Sequence, residues 1–302
     1  MVADATLVAT VPIATVTFRF DPYAHLFGDV TIRWATIALV VVIVAALLLA
    51  GLSARRASLR LDDVAFVAVG IVPGAVIGGR LGYLLLHLDH FGPNPERLLD
   101  PSIGGIELGL GVVGGFLTGA YVASLLGASV GRWLHVSAAP VLFALGAGKF
   151  TMVLGGAGQG QPTDETWATA YLGPGPWGSL VPALPSQPSQ MYEGIATLAI
   201  LTVLTAILML GAFTRRDGRL FFLAVGSWAV ARALVSTTWR DPVVAGGLTA
   251  GGLVALSIAI ACALALVTLT VRDRRAVSSS RAHTEDPWAD LDWPDRHAGT
   301  PP

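Results

Sequence analysis

Seven long apolar runs separated by shorter polar stretches set the pattern of this chain. They cover about residues 32–53, 64–87, 105–127, 137–157, 191–212, 220–239 and 245–271. A helix needs roughly 20 consecutive apolar residues to cross the hydrocarbon core of a bilayer. Lipid offers no partner to a backbone N–H or C=O, so a spanning segment must satisfy those groups internally, and a helix does so. The pattern predicts an all-α membrane protein with seven transmembrane helices. The second, third and fourth runs hold much glycine and a few polar groups, which suits helices packed closely inside a bundle more than helices facing lipid. No internal repeat is visible. The expected organisation is one membrane domain over residues 1–275 and a disordered cytoplasmic tail over 276–302, where "EDPWADLDWPD" reads as solvated chain.

Composition points the same way. Of the 302 residues, 54% are hydrophobic and 13% charged, with a mean hydropathy of +0.67; a soluble domain carries about 25% charge. A net charge of −1 supplies no global field for nucleic acid, so no nucleic-acid partner is expected. The one cysteine, Cys262, lies inside the last apolar run without a disulfide partner or metal-ligand neighbours. It reads as a small core residue, and no metal is expected. The N-terminus shows no basic stretch leading into an apolar segment and cleavage site, so no removable signal peptide is expected.

Arginines orient the bundle. Arg55, Arg56 and Arg60 follow the first run, and Arg132 precedes the fourth. Arg215, Arg216 and Arg219 lie between the fifth and sixth, and Arg272, Arg274, Arg275 and Arg281 follow the seventh. If the spans alternate, these eleven fall on one side. The other side holds Arg19 and Arg97 in loops, Arg33 and Arg240 at span ends, and the long connections 88–104 and 158–190. The positive-inside bias places the N-terminus outside and the C-terminus in the cytoplasm.

Some ionisable groups fall where the pattern puts bilayer. They are Arg80 in "GGRLGY", Glu107 in "GGIELGLG", Lys149 (the chain's single lysine) in "GAGKF", Glu193 in "QPSQMYEG", and Arg232 and Arg240 in "ARALVSTTWRDP". A cation at that depth costs at least ~2.5–3.5 kcal/mol on insertion scales, so each asks for a partner. An internal pair such as Arg80 with Glu193 would supply one. The four cations exceed the two carboxylates, and that surplus points to an anionic ligand, a phosphate first of all. Gly78, Gly79 and Gly82 surround Arg80, and Gly146 and Gly148 precede Lys149. They permit close helix packing or close approach of a headgroup.

Taken in order, "FDP" at 20–22, "IRWATIAL" from Ile32, "GGRLGYLLLH" at 78–87, "GVVGGFLTG" at 111–119, "LGAGKF" at 145–150, "QPSQMYEG" at 187–194 and "RALVSTTWRDP" at 232–242 resemble successive segments of the bacterial prolipoprotein diacylglyceryl transferases. The resemblance covers about residues 18–245. It implies a seven-span protein of the bacterial cytoplasmic (inner) membrane that moves diacylglyceryl from phosphatidylglycerol to the lipobox cysteine thiol of a lipoprotein precursor. Glycerol phosphate leaves, a thioether forms, and no cofactor is needed. The implied partners are phosphatidylglycerol, prolipoprotein signal peptides and the lipid bilayer. Such chemistry requires a group that ionises or orients the thiol, cations that hold phosphate and stabilise its departing charge, and a lateral opening for lipid. The resemblance assigns catalysis to Lys149 and Arg240, and substrate binding to Arg80, Lys149, Gln190, Tyr192, Glu193 and Arg232. Arg80, Lys149 and Arg240 are expected to converge on a headgroup cavity, with Tyr192 and Glu193 pointing into the bundle.

The chain departs from the family at reactive positions. The family's histidine before Gly-Gly falls at Val113 and its signature arginine at Lys149. Later polar positions fall at Met152, Gly155 and Ala157, and Gln187 replaces the histidine of His-Pro-Ser-Gln. His87 and His135 read as unrelated to the chemistry. Two readings follow: a divergent transferase using other groups, and a catalytically silent paralogue that binds phosphatidylglycerol or lipoprotein precursors. A small-solute transporter is a third, but it requires inverted repeats or paired broken helices, and the sequence shows neither.

Overall fold

The computed structural model describes residues 15–25, 30–93, 100, 105–127 and 129–285. Seven of its helices are long and apolar enough to cross a membrane. They are α1 (Trp34–Arg56), α2 (Leu61–Leu86), α4 (Leu108–Leu125), α5 (Val130–Gly155), α6 (Ser189–Met209), α7 (Arg219–Val235) and α8 (Ala250–Glu285). A single helical turn, α3 (Leu88–Phe91), follows α2, and a 3₁₀ turn, Ser236–Thr238, extends α7. Each apolar run of the sequence is a helix, with ends displaced by a few residues. Helix α8 continues to Glu285, past the expected domain end at 275. The rest of the tail, 286–302, and Arg97 lie outside the described residues.

Residue size dictates the packing. A hydrocarbon solvent gives apolar helices no drive to associate, so close backbone approach and dispersion must supply it. Helices α2 and α4 meet through glycine: a methyl added at Gly74 would strike the Gly114 carbonyl and Thr118, and one at Gly114 would strike the Gly74 carbonyl. Gly78, Gly79 and Gly82 face the same seam, so they serve helix packing and not a headgroup. Gly148, by contrast, has open space where its side chain would be. Helix α5 packs on α1, α6 and α7, and α7 on α8. Leu142, Phe221, Ala224, Trp228 and Ala229 form the core between them. Helix α1 turns Val40, Val41 and Leu48 outward, as a lipid-facing helix should.

The two ends of the bundle differ. At one end arginines gather as expected: Arg215 and Arg219 reach Asp273 at 2.6 and 2.5 Å, and Arg216 donates to the Arg56 carbonyl at 2.9 Å. At the opposite end three two-stranded ribbons appear, which the apolar pattern did not predict. β1 (Val16–Phe18) pairs in parallel with β4 (Thr169–Tyr171), tying the start of the described chain to the connection before α6. Phe18 stacks on Tyr171 at 4.9 Å, and Tyr171 meets Trp177 at 4.9 Å. β2 (Tyr23–His25) and β3 (Thr31–Arg33) form the approach to α1, while β5 (Val243–Ala245) and β6 (Leu248–Thr249) form a hairpin before α8. Its turn residues Gly246 and Gly247 have φ of 58° and 79°, a pair of left-handed conformations that favours glycine.

Candidate active site

Helices α4, α5, α6 and α7 each bring one charge to a common point. Glu107 precedes α4 as its N-cap. Its carboxylate accepts the Gly109 and Leu110 N–H groups at 2.9 and 2.6 Å, which satisfies two donors that the first helical turn leaves free. It also accepts Arg232 Nη2 at 3.3 Å. Glu193, in the first turn of α6, accepts Arg232 Nη1 on both oxygens at 2.9 and 3.0 Å and Lys149 Nζ at 2.9 Å. Lys149 comes from α5 and Arg232 from α7. The Glu193 side chain is 1% exposed and that of Arg232 7%. The guanidinium carbon also lies over two indoles, 4.6 Å from the Trp239 centroid and 5.9 Å from that of Trp228. With its carboxylate partners these rings fix both the plane and the position of Arg232.

A cavity of about 820 Å³ opens beside this cluster, with Glu107, Lys149, Arg232, Trp239, Asp241 and His87 on its wall. The space beside Gly148 belongs to it. Two apolar grooves adjoin it. One, of about 330 Å³, shares Ile106 and Leu108 with the cavity wall. The other, of about 540 Å³, shares Leu86 and Ala250.

The profile of the prolipoprotein diacylglyceryl transferase family matches residues 22–268, which include the whole cluster and the cavity wall. The chain belongs to that family. Among its relatives, the phosphatidylglycerol–prolipoprotein diacylglyceryl transferase of Geobacter sulfurreducens is 30% identical over 238 residues, or 77% of this chain and 87% of the relative. That of Solidesulfovibrio magneticus is 33% identical over 178 residues, 56% of this chain and 64% of the relative. The Streptococcus sanguinis protein of the same name is 35% identical over 102 residues, 34% and 39% of the two chains.

The structure rearranges the charges that the family resemblance had grouped. The expected Arg80–Glu193 pair does not form. Arg80 donates to the Asp100 carbonyl at 2.8 Å and lies 5.7 Å from the Phe91 ring. The reason is helical geometry: Gly78, Gly79 and Gly82 take the α4 seam, and Arg80 turns toward Phe91 and Asp100. Glu193 sits on α6, which packs on α5 and α7, so the cations of those two helices reach it first. Arg240 does not join the cavity wall either. It donates to the Gly160 carbonyl at 2.6 Å, to Ser186 Oγ at 2.7 Å and to Ser179 Oγ at 3.4 Å. It braces the connection before α6, and burial pushes its guanidinium below the usual value. The expected surplus of cation is therefore absent from the cluster, which has two carboxylates and two cations.

The remaining family positions separate in the same way. Gln190 is 2% exposed and lies under the connection, its Nε2 at 3.4 Å from the Tyr171 hydroxyl. Tyr192 is half-exposed, whereas Glu193 is buried as expected. Val113 lines the larger apolar groove, away from the cluster. Met152 lines the cavity; Gly155 abuts Ala35 of α1, and Ala157 meets Gly178. Arg232 was among the expected binding residues, but the sequence motifs singled out neither Trp239 nor the capping role of Glu107. The last was findable, because an acidic residue just before an apolar run marks a helix start.

Proposed function

We propose that this chain transfers a diacylglyceryl group from phosphatidylglycerol to the lipobox cysteine thiol of a bacterial lipoprotein precursor, within the cavity that Lys149 and Arg232 line. The observation that carries this reading is the placement of two carboxylate-locked cations on the wall of a cavity flanked by two apolar grooves. The cluster is formally neutral, so a headgroup meets directed N–H donors rather than a net field. Lys149 has one contact with Glu193 and is 13% exposed, which leaves further ammonium hydrogens for the cavity. Arg232 Nε has no acceptor among the described residues. An unmatched buried donor costs about 1–3 kcal/mol, and a phosphate oxygen relieves it.

The chemistry follows from that arrangement. Acyl chains lie in the apolar grooves and the headgroup lies against the cations. The thiolate sulfur attacks the diacylglyceryl carbon that bears the phosphate oxygen. A C–S bond forms, the C–O bond breaks, and the electron pair leaves on glycerol phosphate, whose charge Lys149 and Arg232 stabilise. In this reading the cavity faces the outer leaflet of the cytoplasmic membrane, with the N-terminus outside and the arginine-rich end inside.

The test is transfer by the purified protein in phosphatidylglycerol liposomes to a lipobox peptide, read as thioether peptide and released glycerol phosphate. Lys149→Gln and Arg232→Gln are each expected to lower kcat by about 10²–10³-fold, and Lys149→Arg to retain turnover. Preferential binding of phosphatidylglycerol over phosphatidylethanolamine with no product in any preparation would establish the silent, binding-only reading instead. No preference for the anionic lipid removes both.

A further inference from the structure

We propose that His87 is the general base of the transfer, taking the acceptor thiol proton on Nε2; this rests on the reading above. A neutral thiol is a poor nucleophile, so its proton needs an acceptor inside the cavity. His87 closes α2 as its C-cap and lines the same cavity as Lys149 and Arg232. Its ring stacks on Tyr83, with centroids 4.1 Å apart and planes 22° apart. Nδ1 lies 2.8 Å from the Tyr83 carbonyl oxygen. A carbonyl only accepts, so Nδ1 carries the hydrogen and Nε2 keeps a free lone pair. Stacking and hydrogen bond together hold the ring and select the tautomer that a base requires.

The other titratable groups facing this space are weaker candidates. Glu107 accepts two backbone N–H groups and Arg232, and Glu193, next to the cavity, accepts Lys149 and Arg232. Those donors already occupy both oxygens of each carboxylate. Asp89 and Asp241 share the wall and, like His87, are exposed, but no hydrogen bond among the described residues holds either carboxylate in place. Tyr83, also on the wall, is a phenol and donates before it accepts near neutral pH. The remaining described histidine side chains are elsewhere: His135 shares a pocket with Arg56 and Arg216 at the arginine-rich end, and His25 is exposed and paired with Asp21 at 3.1 Å.

The step balances without another reactant. The thiol proton moves to Nε2, sulfur bonds to the diacylglyceryl carbon, and glycerol phosphate leaves with the C–O electron pair. The imidazolium formed on the cavity wall then returns its proton to water or to the released phosphate. Transfer assays with saturating phosphatidylglycerol test the assignment, using wild type, His87→Ala, His87→Gln, and His87→Ala with added imidazole. The expected result is a kcat lower by about 10²–10⁴-fold in both variants, a phosphatidylglycerol KM within about twofold of wild type, and partial recovery with imidazole. A selenocysteine peptide, whose selenol ionises more readily, is expected to narrow the gap between His87→Ala and wild type. Unchanged kcat in the variants overturns the proposal while leaving the transferase reading intact. Lost kcat with neither imidazole nor selenol recovery also overturns it, since that marks a structural role. No product from wild type removes this proposal together with the transferase reading.

Discussion

Two sets of ion pairs in this protein have nearly the same bond lengths and opposite surroundings. At the arginine-rich end, Arg215 and Arg219 reach Asp273 at 2.6 and 2.5 Å, with Arg215 66% and Asp273 39% exposed. Between α4, α5, α6 and α7, Arg232 and Lys149 reach Glu193 at 2.9 Å, with Glu193 1% exposed. Distance does not separate them; water does. Exposed pairs are screened and lose side-chain entropy on forming. A buried pair is costly to assemble, and breaking one side of it leaves a charge with neither water nor partner. The first set thus depends on the number and sign of its charges more than on their detailed geometry. The second fixes the geometry of individual atoms, which a reaction centre needs.

Four measurements break or sharpen that contrast. Glu193→Ala is expected to have the largest effect, since it strands Lys149 and much of Arg232. A loss of about 3–5 kcal/mol should appear as a lower unfolding midpoint in detergent, and an unchanged midpoint would show that the cluster is not a stabilising unit. Lys149→Gln comes next. Glu193 keeps its two-oxygen contact with Arg232, so the expected loss is about 1–3 kcal/mol, and chemical denaturation of the two variants side by side measures the ratio.

The third measurement uses pH at the strand-rich end. Tyr171 is 1% exposed, and burial raises its phenol from 10.0 to about 12. A folded-state value above the unfolded one means stability that is fully present below pH 10 and lost as pH rises toward 12. The unfolding midpoint should fall across that window, and Tyr171→Phe should flatten the fall. A slope that survives the substitution would assign it to another group. The smallest effect is expected for Asp273→Asn at the arginine-rich end. Its midpoint should match wild type within error in 150 mM salt, and a marked drop there would erase the distinction between the two sets.

How far the sequence could be read depended on the range of the physics involved. Crossing a bilayer depends on about twenty consecutive residues and nothing else, so all seven spans were legible. The arginine asymmetry was legible for the same reason, because the loops bearing it are short and local. The short ribbons were missed because strands of two or three residues carry no period to detect, and because β1 finds its partner β4 far along the chain, Val16 opposite Thr169. Among the charges, Glu193, Lys149 and Arg232 were marked as candidates, but their mutual pairing was not.

The sequence by itself determined a seven-helix membrane protein with a charged interior, glycine-rich spans and membership of the diacylglyceryl transferase family. Only the tertiary structure decided which cation meets which carboxylate. One residue along a helix turns a side chain by about 100°, so Arg80 beside Gly79 faces a different neighbour from the seam that Gly79 fills. Arg232 and Arg240 are eight residues apart in one motif, yet one enters the cavity beside Glu193 while the other leaves the helix end to brace the connection at Gly160. That choice follows from which helices adjoin α6 and from where α7 stops, and neither is a property of the motif. The same packing brings His87, from the end of α2, to the wall that Lys149 and Arg232 share.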